Sequence, residues 1–159
     1  PVWGFATATN TLVSYIIGLK KQDEVMSLIL KIAGLTVVGV FGIVIIGLLF
    51  PTAILSVYTN DPALLELGKP VLNIVSVGVF FVSIGFIFFN GISGTGKTNV
   101  SLTLEIIVLT IYLTYTYLLI YVFNANVTQA WSSEIVYGVL LALTSLIYLK
   151  SGKWKKSEI

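Results

Sequence analysis

The residues from Gly91 to Thr98 are those whose types and spacing point most directly to a chemical function. They read GISGTGKT and fit the pattern G-x-x-x-x-G-K-[ST], in which backbone N–H groups and a lysine hold nucleotide phosphates. Such a loop needs a short buried strand before it and a soluble helix after it. Here apolar runs far longer than a strand flank the motif on both sides. We therefore predict a chance match, a polar turn in which Gly94 and Gly96 supply a permissive backbone and Lys97 marks the water side.

Glu105 is a candidate carrier of a proton or cation, because it is the charged residue of an otherwise uncharged apolar run from Val100 to Phe123. An ionisable side chain inside a membrane segment is a functional hypothesis by default. The alternative is a shallow position near Lys97 and headgroup water, since two helical turns rise only about 10 Å. Tyr112 continues the face of Glu105, and its ring could hold an organic cation by cation–π attraction. Glu105 is the only carboxylate that we predict to be embedded.

Polar side chains in the preceding run, Pro70 to Asn90, share one helical face. Asn73, Ser76 and Ser83 are spaced by three and seven residues along an otherwise apolar segment. Polar groups that face lipid are costly, so we predict that these three side chains point to another helix or to water and line a substrate cavity. Asn10 is a further cavity candidate, although it belongs to a stripe of small residues that favours close helix packing instead.

The composition excludes most soluble functions. Of 159 residues, 57% are hydrophobic and 10% are charged, whereas soluble domains carry about 25% charged residues. The chain has no cysteine and no histidine, which excludes thiol and imidazole catalysis and the usual metal ligands. We predict no catalytic residue, no metal site and no cofactor. The basic residues are all lysines and form no stripe with aromatic residues, so nucleic acid is not an expected partner.

These candidates need helices to position them, and the apolar runs are long enough to cross a bilayer. We predict an all-α membrane protein with five transmembrane helices and a basic, mobile tail. Pro51 should loosen the end of the second helix, and residues 63–68 should form a short interfacial turn. Trp131 and Tyr137 are predicted to anchor the last helix at the membrane interface. The five helices are expected at about 2–19, 28–57, 70–90, 100–123 and 131–149, and the tail at 150–159.

The lysines are distributed asymmetrically between the connectors. Most lie in or beside the first connector, the third connector and the tail, whereas the second and fourth connectors hold Lys69 alone. By the positive-inside rule the tail is cytoplasmic, in a multi-pass protein of the cell's inner (plasma) membrane. The chain starts at Pro1 without a basic leader, which we interpret as a fragment of a longer protein. The lysines of the predicted cytoplasmic side are Lys20, Lys21, Lys31, Lys97, Lys150, Lys153, Lys155 and Lys156.

Three stretches resemble the C-terminal lobe of the multidrug and toxic compound extrusion (MATE) transporter family. They are Gly4-Phe5-Ala6-Thr7-Ala8 with LVSYIIGLKKQDE, then FPTAILSVYTNDPALLELGKPVL, then FNGISGTGKTNVSLTLE. The resemblance covers essentially the whole chain and implies that the five segments are the eighth to twelfth helices of a twelve-helix, two-lobe transporter. It implies a missing N-terminal lobe as partner and contact with membrane lipid. It also implies export of small amphiphilic, often cationic compounds by alternating access, in exchange for protons or sodium ions.

The sequence departs from the family pattern at the coupling acid. Some members use an acid in the tenth helix, but the matching segment, Pro70 to Asn90, contains neither Asp nor Glu. Glu105 therefore remains the candidate carrier. Three alternatives stay open at this point, of which one is a purely structural membrane subunit. A lipid-linked oligosaccharide flippase shares the broad architecture but should carry basic residues deep in the membrane, where this chain has none. A membrane nucleotide-binding protein would use Gly91 to Thr98.

Overall fold

The computed structural model describes residues 2–156, and this part of the chain is helical and contains no strand. The predicted all-α class is therefore confirmed. The α-helices are α1 (Val2–Gly18), α2 (Val25–Leu49), α3 (Pro51–Leu55), α4 (Pro62–Gly94), α5 (Thr98–Tyr117), α6 (Val127–Ala130) and α7 (Ser133–Lys150). The other elements are two short 3-10 helices, Gln22–Glu24 and Lys153–Lys156, and a π-helix that extends α5, Leu118–Val122.

Four helical spans of the described chain are long and apolar enough to cross a membrane. They contain between 24 and 33 residues, and about 20 helical residues cross a hydrocarbon core of about 30 Å. α1 has 17 residues, so its membrane crossing remains a prediction. The four spans are Gln22–Leu49, Pro62–Gly94, Thr98–Val122 and Val127–Lys150.

The second predicted segment, 28–57, is two helices rather than one. α2 begins at Val25 and ends at Leu49, after which Phe50 leaves the helical region with φ −126° and ψ 48°. Pro51 is the first residue of α3. A proline disfavours the α conformation in the residue before it and suits the first helical position, so Pro51 breaks the helix instead of loosening it.

The third predicted segment, 70–90, is the middle of a longer helix. α4 begins at Pro62, where the Asp61 side chain accepts a hydrogen bond from the Ala63 N–H at 2.9 Å. Residues 63–68 are therefore not a separate interfacial turn but the first turns of α4, which continues through Pro70. A proline inside a helix removes one backbone hydrogen bond, and membrane helices tolerate this when neighbouring helices hold the backbone in place.

α4 is the central helix of the bundle and packs against α1, α2, α5 and α7. Its contact with α7 is close because glycines face each other. A Cβ at Gly85 would lie 3.1 Å from the Gly138 carbonyl oxygen, and a Cβ at Gly138 would lie only 2.5 Å from the Val82 nitrogen. Any side chain at Gly138 would force the two backbones apart, so small residues set the distance between these helices.

The Gly91–Thr98 motif belongs to the packing between α4 and its neighbours. α4 continues to Gly94, so a helix and not a strand precedes the turn. A Cβ at Gly91 would lie 2.7 Å from a side-chain carbon of α2, and one at Gly94 would lie 2.7 Å from the Asn10 carbonyl oxygen. Gly94 is thus a packing residue rather than part of the predicted permissive turn. Gly96 supplies that turn, with φ +81°.

The first connector, the end of α4 and the C-terminal tail meet at one end of the bundle. Residues 153–156 of the predicted mobile tail are instead anchored there, while 157–159 lie outside the described residues. Trp154 is 4% exposed, and its Nε1 donates to the Leu149 carbonyl at 2.8 Å. Lys155 Nζ lies 2.6 Å from Asp23 Oδ1. Buried apolar side chains from four helices and the tail form what we term the lysine-end core: Val13, Val25, Ile29, Ile92, Leu149 and Trp154.

Candidate functional site

Two tyrosines and two glutamates form hydrogen-bonded pairs between α5 and α7. Tyr137 Oη donates to Glu105 Oε1 at 2.7 Å, and Tyr112 Oη donates to Glu134 Oε1 at 3.0 Å. The rings of Tyr112 and Tyr137 meet edge to face, with centroids 5.6 Å apart. The ring contact joins the two pairs, and we term these four residues the tyrosine–carboxylate network.

Helical spacing explains how the network is assembled. Glu105 and Tyr112 lie seven residues apart on α5, and Glu134 and Tyr137 lie three apart on α7, so each pair occupies one helical face. The two helices run in opposite directions. The earlier residue of α5 therefore meets the later residue of α7, and each tyrosine reaches the glutamate of the other helix.

The two carboxylates lack a counter-charge in the surrounding helices. Residues 98–149, which contain both glutamates, hold no lysine or arginine, and neither do residues 70–96 of α4 and its turn. Glu105 Oε2 is buried, and no polar atom of the described residues hydrogen-bonds to it. A buried carboxylate without compensation is costly, which makes Glu105 the candidate ion-binding group of this region. The salt bridges of the described chain lie elsewhere, at Lys21–Glu24, Lys69–Glu66 and Lys155–Asp23.

A cavity of about 420 Å³ adjoins the network on the side of Glu134. We term it the α5–α7 cavity. Its volume falls in the range of about 300–1,000 Å³ that is typical of ligand pockets. The wall is mostly apolar, and its side chains come from α5, the π-helix and the α6–α7 region, among them Tyr112, Thr116, Ile120, Ala130, Trp131 and Glu134.

The short helix α6 closes one side of the cavity and is held by reciprocal hydrogen bonds. The Asn126 side chain accepts from the Gln129 N–H at 2.8 Å, and the Gln129 side chain accepts from the Asn126 N–H at 3.0 Å. This capping box satisfies donors that a helix of four residues would otherwise leave free. It thereby fixes the position of Val127 and Ala130 in the cavity wall.

The sequence of this chain matches a known protein family. The family model MatE matches residues 1–118. This chain belongs to the MatE family. The match covers α1 to α5 and ends before α7, so that Glu105 and Tyr112 lie inside it and Glu134 and Tyr137 lie outside it.

Curated relatives of this MatE chain carry the name probable multidrug resistance protein NorM. The protein of Thermotoga maritima is 26% identical over 160 residues, which cover 100% of this chain and 34% of that protein. The protein of Bacillus anthracis is 25% identical over 118 residues, which cover 74% of this chain and 26% of that protein. The chain thus spans between a quarter and about a third of the length of these relatives. No solved structure matches it significantly.

The two asparagines predicted to line a cavity are not members of the network in this MatE chain. Asn10 faces the end of α4, where its Nδ2 lies 3.4 Å from Ser93 Oγ. Ser14, one turn later on α1, donates to the Gly94 carbonyl at 3.0 Å. The small-residue stripe therefore makes a helix contact at these positions. Asn73 is exposed on α4.

The predicted serines serve the packing of α4. Ser76 faces Gly47 of α2, where a Cβ on that glycine would lie 2.9 Å from the serine hydroxyl. Ser83 is fully buried, and its hydroxyl donates to a backbone carbonyl of its own helix. Of the residues predicted to act in transport, Glu105 and Tyr112 are the two that the structure brings together.

Two members of the network are absent from the predicted site residues. Tyr137, which we predicted as an interface anchor, donates a hydrogen bond to Glu105. Glu134 is a second half-buried carboxylate, whereas we predicted Glu105 as the only embedded one. A signal for both exists in the sequence. An acid followed three residues later by a tyrosine marks one helical face at the start of the last apolar run.

Proposed function

We propose that this chain is part of a longer secondary transporter that exports amphiphilic, often cationic compounds in exchange for protons or sodium ions. The MatE match, the multidrug resistance names of the relatives and the four membrane-length spans support this function. The proposal includes alternating access between the two sides of the membrane. It involves no enzymatic step, no nucleotide and no cofactor other than the coupling ion.

The environment of Glu105 is the main structural support for this proposal. One carboxylate oxygen accepts from Tyr137, and the other is buried without a hydrogen-bond partner among the described residues. A proton or sodium ion bound here neutralises the carboxylate, and its release leaves an anion that the apolar surroundings destabilise. Ion binding and release can therefore shift the equilibrium between two arrangements of α5 and α7. Coupling to alternating access requires such a shift.

We further propose that the lysine-end core lies at the cytoplasmic side of the inner membrane. Lys20 and Lys21 lie in the first connector, Lys97 ends the third, and Lys155 of the tail pairs with Asp23. A cluster of lysines at one end of a helix bundle is typical of the cytoplasmic face.

The test is gradient-driven uptake by the full-length transporter in proteoliposomes. We expect Glu105→Gln to abolish uptake driven by an imposed proton or sodium gradient, because a neutral amide cannot exchange the ion. The matched control is Glu66→Gln, which removes an exposed carboxylate of α4 and should transport like the wild type. The gradient that drives the wild type identifies the ion. Wild-type uptake by Glu105→Gln under that same gradient would refute the assignment of Glu105.

A further inference from the structure

We infer that the α5–α7 cavity binds the cationic group of the transported compound at Glu134, on a carboxylate distinct from the one that carries the coupling ion. Only one part of this inference, that the ligand is a transported compound, rests on the proposed function. The binding site itself depends on the geometry of the cavity alone.

The cavity combines one acid with an apolar and aromatic wall. Glu134 is the one ionisable carboxylate among its lining residues, and no lysine lines it. Tyr112 and Trp131 add two aromatic rings, whose faces attract organic cations, and the remaining wall is largely aliphatic. A ligand with a delocalised positive charge and apolar substituents matches this wall in both charge and polarity.

The charge balance of the surroundings favours a cation over other ligands. The helices around Glu134 provide no basic residue between 98 and 149 or between 70 and 96. Tyr112 donates one hydrogen bond to Glu134, but a hydroxyl leaves its negative charge in place. A bound cation supplies the missing counter-charge, whereas an anion would add a second uncompensated charge.

The position of Glu134 is fixed from both sides. On α4, a Cβ at Gly78 would lie 3.0 Å from Glu134 Cβ, so this glycine lets the helix carrying the glutamate approach closely. On α5, the hydrogen bond from Tyr112 orients the carboxylate. The opposite wall includes Ile120 of the π-helix, and π-helical turns occur frequently at functional sites.

The separation of the two carboxylates distinguishes this site from the ion site. Glu105 bonds to Tyr137 and is absent from the cavity wall, whereas Glu134 bonds to Tyr112 and lines it. The two tyrosine rings are in contact. A ligand at Glu134 therefore acts on the ion site through packed rings and does not need to displace the ion from the same carboxylate.

The test is equilibrium binding of tetraphenylphosphonium, an apolar delocalised cation, to the full-length transporter in detergent. We expect Glu134→Gln to weaken binding at least about tenfold through the lost charge, since the amide keeps the side-chain shape and an acceptor for Tyr112. Ala130→Leu narrows the cavity without changing its charge and should weaken binding too. The matched control, Ala63→Leu, enlarges an exposed alanine at the start of α4 and should bind like the wild type.

A neutral probe, triphenylphosphine oxide, separates charge from shape. Its binding should fall with Ala130→Leu and not with Glu134→Gln. Wild-type affinity for tetraphenylphosphonium in both cavity variants would overturn the inference, whatever the transport results for Glu105. Normal gradient-driven transport by Glu105→Gln together with weakened binding by Glu134→Gln would instead refute the proposed coupling residue and support the binding site.

Discussion

The lysine-end core and the α5–α7 cavity occupy opposite ends of α7 and are built from different kinds of residue. At the core, Val25, Ile29 and Trp154 are almost fully buried, and the tail closes over them. At the cavity, Glu134 is half-buried among apolar groups, with a space of about 420 Å³ beside it. The first region satisfies its groups within the chain. The second holds two carboxylates without a basic residue in 98–149 or 70–96, as expected of the binding region proposed above.

The largest expected effect comes from removing a core side chain. Trp154→Ala should lower the free energy of unfolding by about 3–5 kcal/mol, because it deletes a buried aromatic group and the hydrogen bond to Leu149. Thermal unfolding in detergent measures this loss. Trp131→Ala is the matched change at the cavity, where the side chain is 42% exposed, so its stability loss should be smaller and its tetraphenylphosphonium affinity reduced. Equal stability losses would remove the contrast between the two regions.

A smaller effect is expected where α4 and α7 cross. Gly138→Ala should cost about 1–3 kcal/mol of unfolding free energy, because the new methyl group meets the α4 backbone. Gly42→Ala of α2 is the control, since a Cβ there has no neighbour within 4 Å, and it should be neutral or stabilising by up to about 1 kcal/mol. Melting temperatures measured side by side give the comparison. An unchanged melting temperature for Gly138→Ala would mean that α4 and α7 are farther apart than described.

The smallest effect is expected at the surface of the lysine-end core. Asp23→Asn removes the charge that pairs with Lys155, and the side chain of Asp23 is 96% exposed. Exposed ion pairs contribute little to the free energy of unfolding, and salt screens them. We therefore expect no measurable change in melting temperature at physiological ionic strength. A clear loss of stability would show that the pair, and not Trp154, anchors the tail.

The sequence was sufficient for the helical class, because runs of apolar residues leave few alternatives in a membrane. It was less informative about helix ends. Pro51 and Pro70 look alike in the sequence, yet one separates α2 from α3 and the other lies inside α4. Which of the two occurs depends on the packing of neighbouring helices, and this is not a local property.

Two of the four residues of the candidate site could be predicted from the sequence. Glu105 and Tyr112 share a face of α5, and helical periodicity reveals that directly. Their partners Tyr137 and Glu134 depend on how α5 and α7 are aligned, which the periodicity of one helix does not reveal. The cavity role of the polar serines of α4 stays a prediction, since small polar residues in membrane helices serve packing as readily as ligand binding.

Ion movement is the most direct test of whether Glu105 carries the coupling ion. The full-length transporter, reconstituted with a trapped pH-sensitive or sodium-sensitive dye, is exposed to a step in tetraphenylphosphonium concentration. We expect the wild type to move protons or sodium ions against the organic cation and Glu105→Gln to move neither. Ion movement by Glu105→Gln at the wild-type rate would contradict this expectation.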